Sequence, residues 1–265
     1  MKEEAMSEVL STLVLTAMIL LITIVAAFIA NAALETQAQK SELEEAKSAF
    51  RLLADTMEEI SSNPYASGYV RINCRFGRIE YRNCTFTLKV SVDSTELTSN
   101  TTSCLTFIGG DRVGFIPSEV IYGVSSVLIN NSITPLISVY TGYANGRPFV
   151  SLNATRVRIV DRGTVYIKAE ANNPYYHVFD IVLIRLIITR VQVSGSFTII
   201  AHNMGIWTNT IKYTKYTDST TFTLTVSVIY DGITKEESMY VDLSSENIAG
   251  VLFNIITIEI DIEII

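Results

Sequence analysis

Charged residues are scarce in this chain of 265 residues, at 18% against about 25% in an ordinary soluble protein. Basic residues are the minority, with 20 lysines and arginines against 27 aspartates and glutamates, for a net charge of −7. A protein that binds nucleic acid needs a basic face or stripe, and the sequence shows none. We therefore expect no nucleic-acid partner.

Histidine and cysteine, which supply most metal and redox sites, are also rare, with two histidines and three cysteines. No pair of cysteines has the CxxC spacing, and His177 and His202 are distant in sequence, so we expect no metal site. The sequence also lacks a GxSxG elbow, an HExxH pair, a phosphate-binding loop and a dinucleotide fingerprint. We predict that the protein is not an enzyme and has neither catalytic residues nor a cofactor.

Apolar residues are abundant, at 48%, and the mean hydropathy is +0.32. Residues 9–33 form one uncharged apolar run. A helix of about 25 residues is roughly 37 Å long, which is enough to cross a hydrocarbon layer of ~30 Å. A cleavable secretory signal would have a shorter apolar run with basic residues ahead of it, whereas here the preceding residues are mostly acidic. The run therefore predicts a transmembrane or helix-packed segment.

The helical pattern continues past the apolar run, through residues 34–62, which contain no glycine or proline. Apolar residues recur there at alternating steps of three and four, as along one face of a helix. We call these six residues the seam: Leu43, Ala46, Phe50, Leu53, Met57 and Ile60. The pattern breaks at Asn63, because a residue before proline disfavours the α conformation. The sequence predicts one helix from about residue 7 to 62, whose seam packs either beneath the protein's own head or against a neighbouring helix.

From residue 65 onward, apolar and polar residues alternate, which is typical of strands with one buried face. The clearest strand is the last, where five isoleucines from Ile256 to Ile264 alternate with polar residues. Hairpin turns are predicted at residues 161–163 and at Asp231-Gly232. The predicted fold class is α+β: a long helix, hydrophobic and then amphipathic, followed by an all-β, sandwich-like head over residues 65–265. The head is either one sandwich or two subdomains divided near residues 150–175.

Several features of the head indicate an extracellular location. Four sequons are candidate glycosylation sites: Asn83, Asn100, Asn130 and Asn153. Cys74 and Cys84 lie on predicted neighbouring strands, so they are candidates for a disulfide, and the alternative is three buried thiols.

An aromatic set would suit a sugar-binding surface, although tyrosine is common in β structure anyway. Its members are Tyr140, Tyr143, Tyr175, Tyr176, Trp207, Tyr213 and Tyr216.

The stretch Ala5-Met6-Ser7-Glu8-Val9-Leu10-Ser11-Thr12-Leu13 resembles the mature N-terminus of the archaeal type IV pilin superfamily, which includes pilins and archaellins. The resemblance is confined to residues 1–62. It implies that residues 1–4 are a leader, removed by a prepilin peptidase between Glu4 and Ala5. Glu3 and Glu4 stand where the family usually has a basic residue and glycine. Residues 5–62 would form the long helix of a lollipop-shaped subunit.

The resemblance also implies a function, that of a structural subunit in an extracellular type IV pilus-like filament. The subunit would lie in the membrane until an assembly machinery adds it to a helical homopolymer, whose heads serve adhesion or surface contact at the cell surface. Residues 9–33 would form the filament core, with seven core positions: Val9, Leu13, Ala17, Leu20, Ile24, Ala27 and Ala30. The alternative is a single-pass, membrane-anchored β ectodomain that binds a ligand or surface glycan as a monomer.

Overall fold

One helix, α1, spans Lys2–Ser61 and confirms the predicted long N-terminal helix. The computed structural model describes residues 2–81, 84–130, 133–167, 175–191, 196–213, 221–243 and 248–265, and of residues 2–11, 190 and 191 only the backbone. The 60 residues of α1 give a length of about 90 Å at ~1.5 Å per residue. The helix ends where expected, just before Asn63 and Pro64, and Tyr65 turns the chain with a φ of 65°.

All strands in the described part of the chain follow the helix, which gives the expected α+β class. In chain order they are β1 (Ser67–Asn73), β2 (Arg78–Glu80), β3 (Thr85–Val92), β4 (Thr95–Ile108), β5 (Glu119–Tyr122), β6 (Leu128–Ile129), β7 (Ser138–Ala144), β8 (Arg147–Asn153), β9 (Val157–Tyr166), β10 (Tyr175–Val191), β11 (Ser196–Tyr213), β12 (Thr221–Tyr230), β13 (Ile233–Asp242) and β14 (Gly250–Ile264).

The described strands form two sheets. The six-stranded sheet has the order β1-β11-β14-β10-β9-β6, and its long strands β10 and β14 run parallel to each other. The eight-stranded sheet has the order β13-β12-β3-β4-β8-β7-β5, with β2 also paired to β4. Strand β4 joins the two halves of this sheet, because residues 95–103 pair with β3 and residues 104–108 pair with β8.

One of the two predicted hairpins is wrong. Residues 161–163 do not turn the chain back: β9 continues through them, and Gly163 takes a positive φ where the pairing with β10 shifts register. The turn signal therefore marks an irregularity within a strand. The second hairpin is confirmed, since Asp231 and Gly232 both have positive φ and connect β12 to β13. This combination is typical of a type I′ turn.

Two apolar clusters fill the head, and each contains side chains from both sheets. The first packs α1 against strands that include β1, β8 and β11, and the second lies among β3, β9, β12 and neighbouring strands. Strand β14 contributes to both: Val251, Phe253 and Ile255 belong to the second cluster, and even-numbered isoleucines from Ile258 to Ile264 belong to the first. Because successive residues of a strand point to opposite faces, β14 changes its buried face between these halves. The division into two subdomains near residues 150–175 stays a prediction.

Candidate functional site: the apolar helix and its junction with the head

The N-terminal half of α1 is an exposed apolar surface. By length and composition, α1 is the one helix in the described chain able to cross a membrane. No residue of its most apolar stretch of 18 residues is buried. Phe28, for example, is 76% exposed. Six of the predicted core positions lie on this exposed segment: Leu13, Ala17, Leu20, Ile24, Ala27 and Ala30. The side chains of Val9, Glu4 and Ala5 fall outside the described residues.

Two threonine hydroxyl groups of this segment are bonded within the helix. The Thr16 hydroxyl donates to the Thr12 carbonyl at 2.6 Å, and the Thr23 hydroxyl donates to the Ile19 carbonyl at 2.8 Å. A polar side chain satisfied in this way can lie in lipid or in a helix bundle without leaving an unpaired donor. These two hydroxyl groups can therefore lie in apolar surroundings.

The C-terminal half of α1 is held by the head. All six seam residues are buried in the first apolar cluster, and Phe50, Leu53 and Met57 are fully inaccessible. Of the two uses left open by the sequence, packing beneath the protein's own head is the one that the structure shows. The change from exposed to buried occurs near Gln39 and Glu42, where the helix meets the loops of the head.

Glu42 binds the loop between β1 and β2. Its carboxylate accepts hydrogen bonds from the backbone N–H groups of Arg75, Phe76 and Gly77, at 2.9 to 3.1 Å. Hydrogen bonds to a charged acceptor are among the stronger ones, so this contact fixes the loop to the helix. The carboxylate and burial together raise the pKa of the neighbouring Cys74 thiol to about 12, with burial the larger cause.

Gln39 and Glu35 fix a second loop of the head in the same way. The Gln39 side-chain oxygen accepts from the backbone N–H of Arg112 at 2.8 Å, and the Arg112 guanidinium pairs with Glu35 at 2.8 Å. Gly110 permits this approach, because a Cβ there would lie 2.3 Å from the Gln39 oxygen.

Glu58 ties α1 to the start of β7. Its carboxylate accepts from the backbone N–H of Ile137 at 2.6 Å. Burial raises the pKa of Glu58, while the Ile137 hydrogen bond and the charges of Arg158 and Arg156 oppose that shift. Arg156 is itself buried and donates to the Ile137 carbonyl at 2.9 Å, and its burial lowers its pKa to about 10.

Asn203 holds the C-terminal end of α1. It is buried at an irregularity in β11, where its side-chain amide donates to the carbonyl of Ile60 at 2.8 Å. The last carbonyls of a helix have no partner within the helix, so this donor satisfies one of them. Its side-chain oxygen accepts from the N–H of Gly205 at 2.9 Å, which fixes the amide in this orientation.

Sequence reasoning missed these polar contacts. One signal was present, since Gln39 precedes Leu43 by four residues and so continues the seam with a polar residue. No local pattern marks Asn203, because its partner is more than 140 residues away along the chain.

The predicted pairing of Cys74 with Cys84 is wrong. The structure joins Cys84 to Cys104, whose backbone N–H also donates to the Cys84 carbonyl at 3.0 Å. Cys74 is a free thiol. It directly follows β1, a strand of the six-stranded sheet, whereas Cys84 directly precedes β3, a strand of the eight-stranded sheet.

The four sequons differ in accessibility. Asn130 is exposed and Asn100 is half-buried, whereas Asn83 lies outside the described residues. Asn153 is buried, and its side-chain oxygen accepts from the hydroxyls of Ser138 and Thr155. A glycan needs a free amide at the surface, so the expectation of an acceptor at Asn153 is corrected.

The predicted aromatic set does not assemble into one surface. Tyr176 and Tyr213 are buried, Trp207 is exposed on β11, and Tyr216 lies outside the described residues. Among the described residues, no three histidine, cysteine, aspartate or glutamate side chains are placed to hold a metal ion.

No protein-family model, curated protein or solved structure matches this chain. The class of protein is therefore defined by the structure: a strand-rich head carried on one long N-terminal apolar helix, which could be a membrane anchor or a signal sequence.

Proposed function

We propose that this chain is a structural subunit of an extracellular type IV pilus-like filament. Its N-terminal helices would pack together as the core, and its β heads, arranged as sandwiches, would form the exterior. The observation that carries this proposal is the contrast between the halves of α1. One half exposes apolar side chains, and the other is packed against the head.

An exposed apolar helix is stable only in a bilayer or against other apolar surfaces. In the membrane, residues 12–34 can exchange lipid contacts for contacts with neighbouring helices, and small residues such as Ala27 and Ala30 let the backbones approach. Outside the membrane, the hydrophobic effect holds such a bundle together, at about 25 cal/mol per Å² of apolar area.

The contacts between the helix and the head give the filament its geometry. The contacts of Glu42, Gln39, Glu58 and Asn203 hold the head at a fixed position on the helix. Each added subunit then repeats one displacement and rotation, and such a head-to-tail arrangement grows as an open helix. By the family resemblance, a prepilin peptidase removes residues 1–4 and a membrane assembly machinery extracts the subunit.

A monomeric, membrane-anchored β ectodomain is the second candidate. The single apolar helix favours it as well, because one span is sufficient for an anchor. The two candidates differ in where the protein is found and in what its helix must pack against.

The test is the mass of the N-terminal peptide of native protein from a sheared, detergent-free surface fraction. The filament proposal expects the protein in that fraction with Ala5 as its first residue. Protein found only in the membrane pellet and beginning at Met1 would contradict the filament and leave the anchor.

Substitutions in α1 give an independent test. The double variant Ala27→Leu/Ala30→Leu adds volume to one helix face, since positions three apart are neighbours, while it keeps the segment apolar. We expect normal membrane insertion with loss of protein from the sheared fraction. The matched control Ile24→Leu keeps volume and should assemble normally. Equal amounts of the double variant and the control in the sheared fraction would argue against helix packing in a filament.

A further inference from the structure

One cleft of the described head lies beside β4, next to the Cys84–Cys104 disulfide. It has a volume of about 650 Å³, within the range of roughly 300–1,000 Å³ found for small-molecule sites. Its walls come from β2, from the β7–β8 hairpin and from the end of β12. None of the residues discussed at the helix junction lines it.

Four aromatic residues line the cleft: Tyr81, Tyr140, Phe149 and Tyr230. Tyr140 and Phe149 meet edge to face, with ring centroids 5.8 Å apart. Tyr230 stacks on Phe86 at 4.7 Å and is 39% exposed, so part of its ring is open to the cleft. Gly142 allows Phe149 its position, because a Cβ there would lie 2.5 Å from the ring. Rings of this kind offer apolar contact together with polar tips, which suits the C–H faces and hydroxyls of a sugar.

The charged groups of the cleft favour an anion. Among the described residues, two arginines and one glutamate line it, which leaves a net positive charge there in a chain of net charge −7. Arg78 is paired with Glu80 at 2.6 Å. Arg147 is half-buried, and its side chain has no ion pair or hydrogen bond with any described residue. A guanidinium left unpaired at the wall of a cleft is available for a carboxylate, which it can bind through two parallel hydrogen bonds.

Polar groups that suit hydroxyls lie in the same cleft. Thr106 lines it from β4, and its side-chain oxygen lies 2.9 Å from that of Ser151, a buried residue of β8. The phenol of Tyr140 has no hydrogen-bond partner among the described residues. Aromatic walls, neutral hydroxyls and one unpaired guanidinium together match a ligand that has apolar C–H faces, hydroxyls and a carboxylate.

We propose that this cleft binds acidic sugars, that is, uronic-acid units of a polysaccharide, with Arg147 bound to the carboxylate. Tyr140, Phe149 and Tyr230 pack against the sugar ring. Because a monomeric anchored head would carry the same cleft, sugar binding and filament assembly are independent properties of the chain. Failure of one therefore leaves the other standing.

Isothermal titration calorimetry of the full chain in non-ionic detergent tests this proposal. The probe is trigalacturonate, compared with its methyl ester and with acetate. We expect the acid to bind at least about tenfold more tightly than the ester, since a hydrogen-bonded charge pair is lost on esterification. Acetate lacks the ring and should bind more weakly still.

Variants locate the site. Arg147→Gln should weaken trigalacturonate binding at least about tenfold and leave binding of the ester within about twofold. Arg71→Gln, on the exposed side of β1, is the matched control and should bind like the wild type. Tyr140→Phe removes only the phenolic hydroxyl and should weaken the binding of both trigalacturonate and its ester. The proposal would be overturned if trigalacturonate did not bind, or if the ester or acetate bound as tightly as the acid. It would also be overturned if Arg147→Gln bound trigalacturonate like the wild type.

Discussion

Replacing Glu42 with alanine tests whether polar contacts fix the head to the helix. The substitution removes the acceptor of three backbone N–H groups, all within 3.1 Å of the carboxylate. Hydrogen bonds to a charged group contribute about 1.5–3 kcal/mol each and are not additive. Phe76 and Gly77 are only half-buried, so water can reach part of the loop after the change. We therefore expect the free energy of unfolding to fall by about 3 kcal/mol, the value of one to two such bonds.

Two matched variants separate the causes. Glu42→Gln keeps an acceptor oxygen but loses the charge, and charge-assisted bonds are about twice as strong as neutral ones, so it should lose about half as much stability. Glu44→Ala removes an exposed carboxylate that pairs with Lys47, and it keeps the Glu44 backbone carbonyl that accepts from the Ser48 hydroxyl, so it should cost at most about 0.5 kcal/mol. Urea unfolding of the full chain in detergent, followed by circular dichroism, measures all three. A loss for Glu42→Ala no larger than that for Glu44→Ala would refute the reasoning.

Alkylation of Cys74 gives a local readout of the same contact. With its pKa raised to about 12, the thiol is almost fully protonated near neutral pH and reacts slowly, because the thiolate is the nucleophile. Removing the Glu42 charge lowers the pKa of Cys74, so iodoacetamide should label the Glu42→Ala variant faster. Glu44→Ala should label at the wild-type rate, and an unchanged rate in Glu42→Ala would mean that the carboxylate does not act on the thiol.

The remaining predictions concern Glu58 and the disulfide. Burial raises the folded-state pKa of Glu58 above its usual value of 4.5. The folded state therefore holds this proton more tightly than the unfolded state does, and the free energy of unfolding falls as the pH rises above about 4.5. Glu58→Gln, which does not titrate, should therefore gain stability relative to the wild type as the pH rises above about 4.5 in urea unfolding, and a pH-independent difference would contradict this. Reduction of Cys84–Cys104, which closes a separation of 20 residues, should cost about 3 kcal/mol. Non-reducing peptide mapping should show this bridge, and a Cys74–Cys84 peptide would contradict it.

The local sequence determined the elements whose causes are local. The absence of glycine and proline over residues 34–62, followed by Pro64, set the C-terminal end of α1, and the seam spacing set its buried face. The alternation of apolar and polar residues determined strand β14, and Asp231-Gly232 determined the hairpin turn between β12 and β13. In each case the deciding interaction lies within a few residues along the chain, so the pattern is visible in one dimension.

The tertiary structure alone decided which distant residues meet. The helix end is held by Asn203, Cys84 pairs with Cys104 and not Cys74, and residues 161–163 continue a strand instead of turning. The cleft beside Arg147 likewise joins β2, β8 and the end of β12. These outcomes depend on which strands become neighbours and where β14 changes its buried face. Such choices minimise the free energy of the whole packed chain, and short sequence patterns carry little information about them.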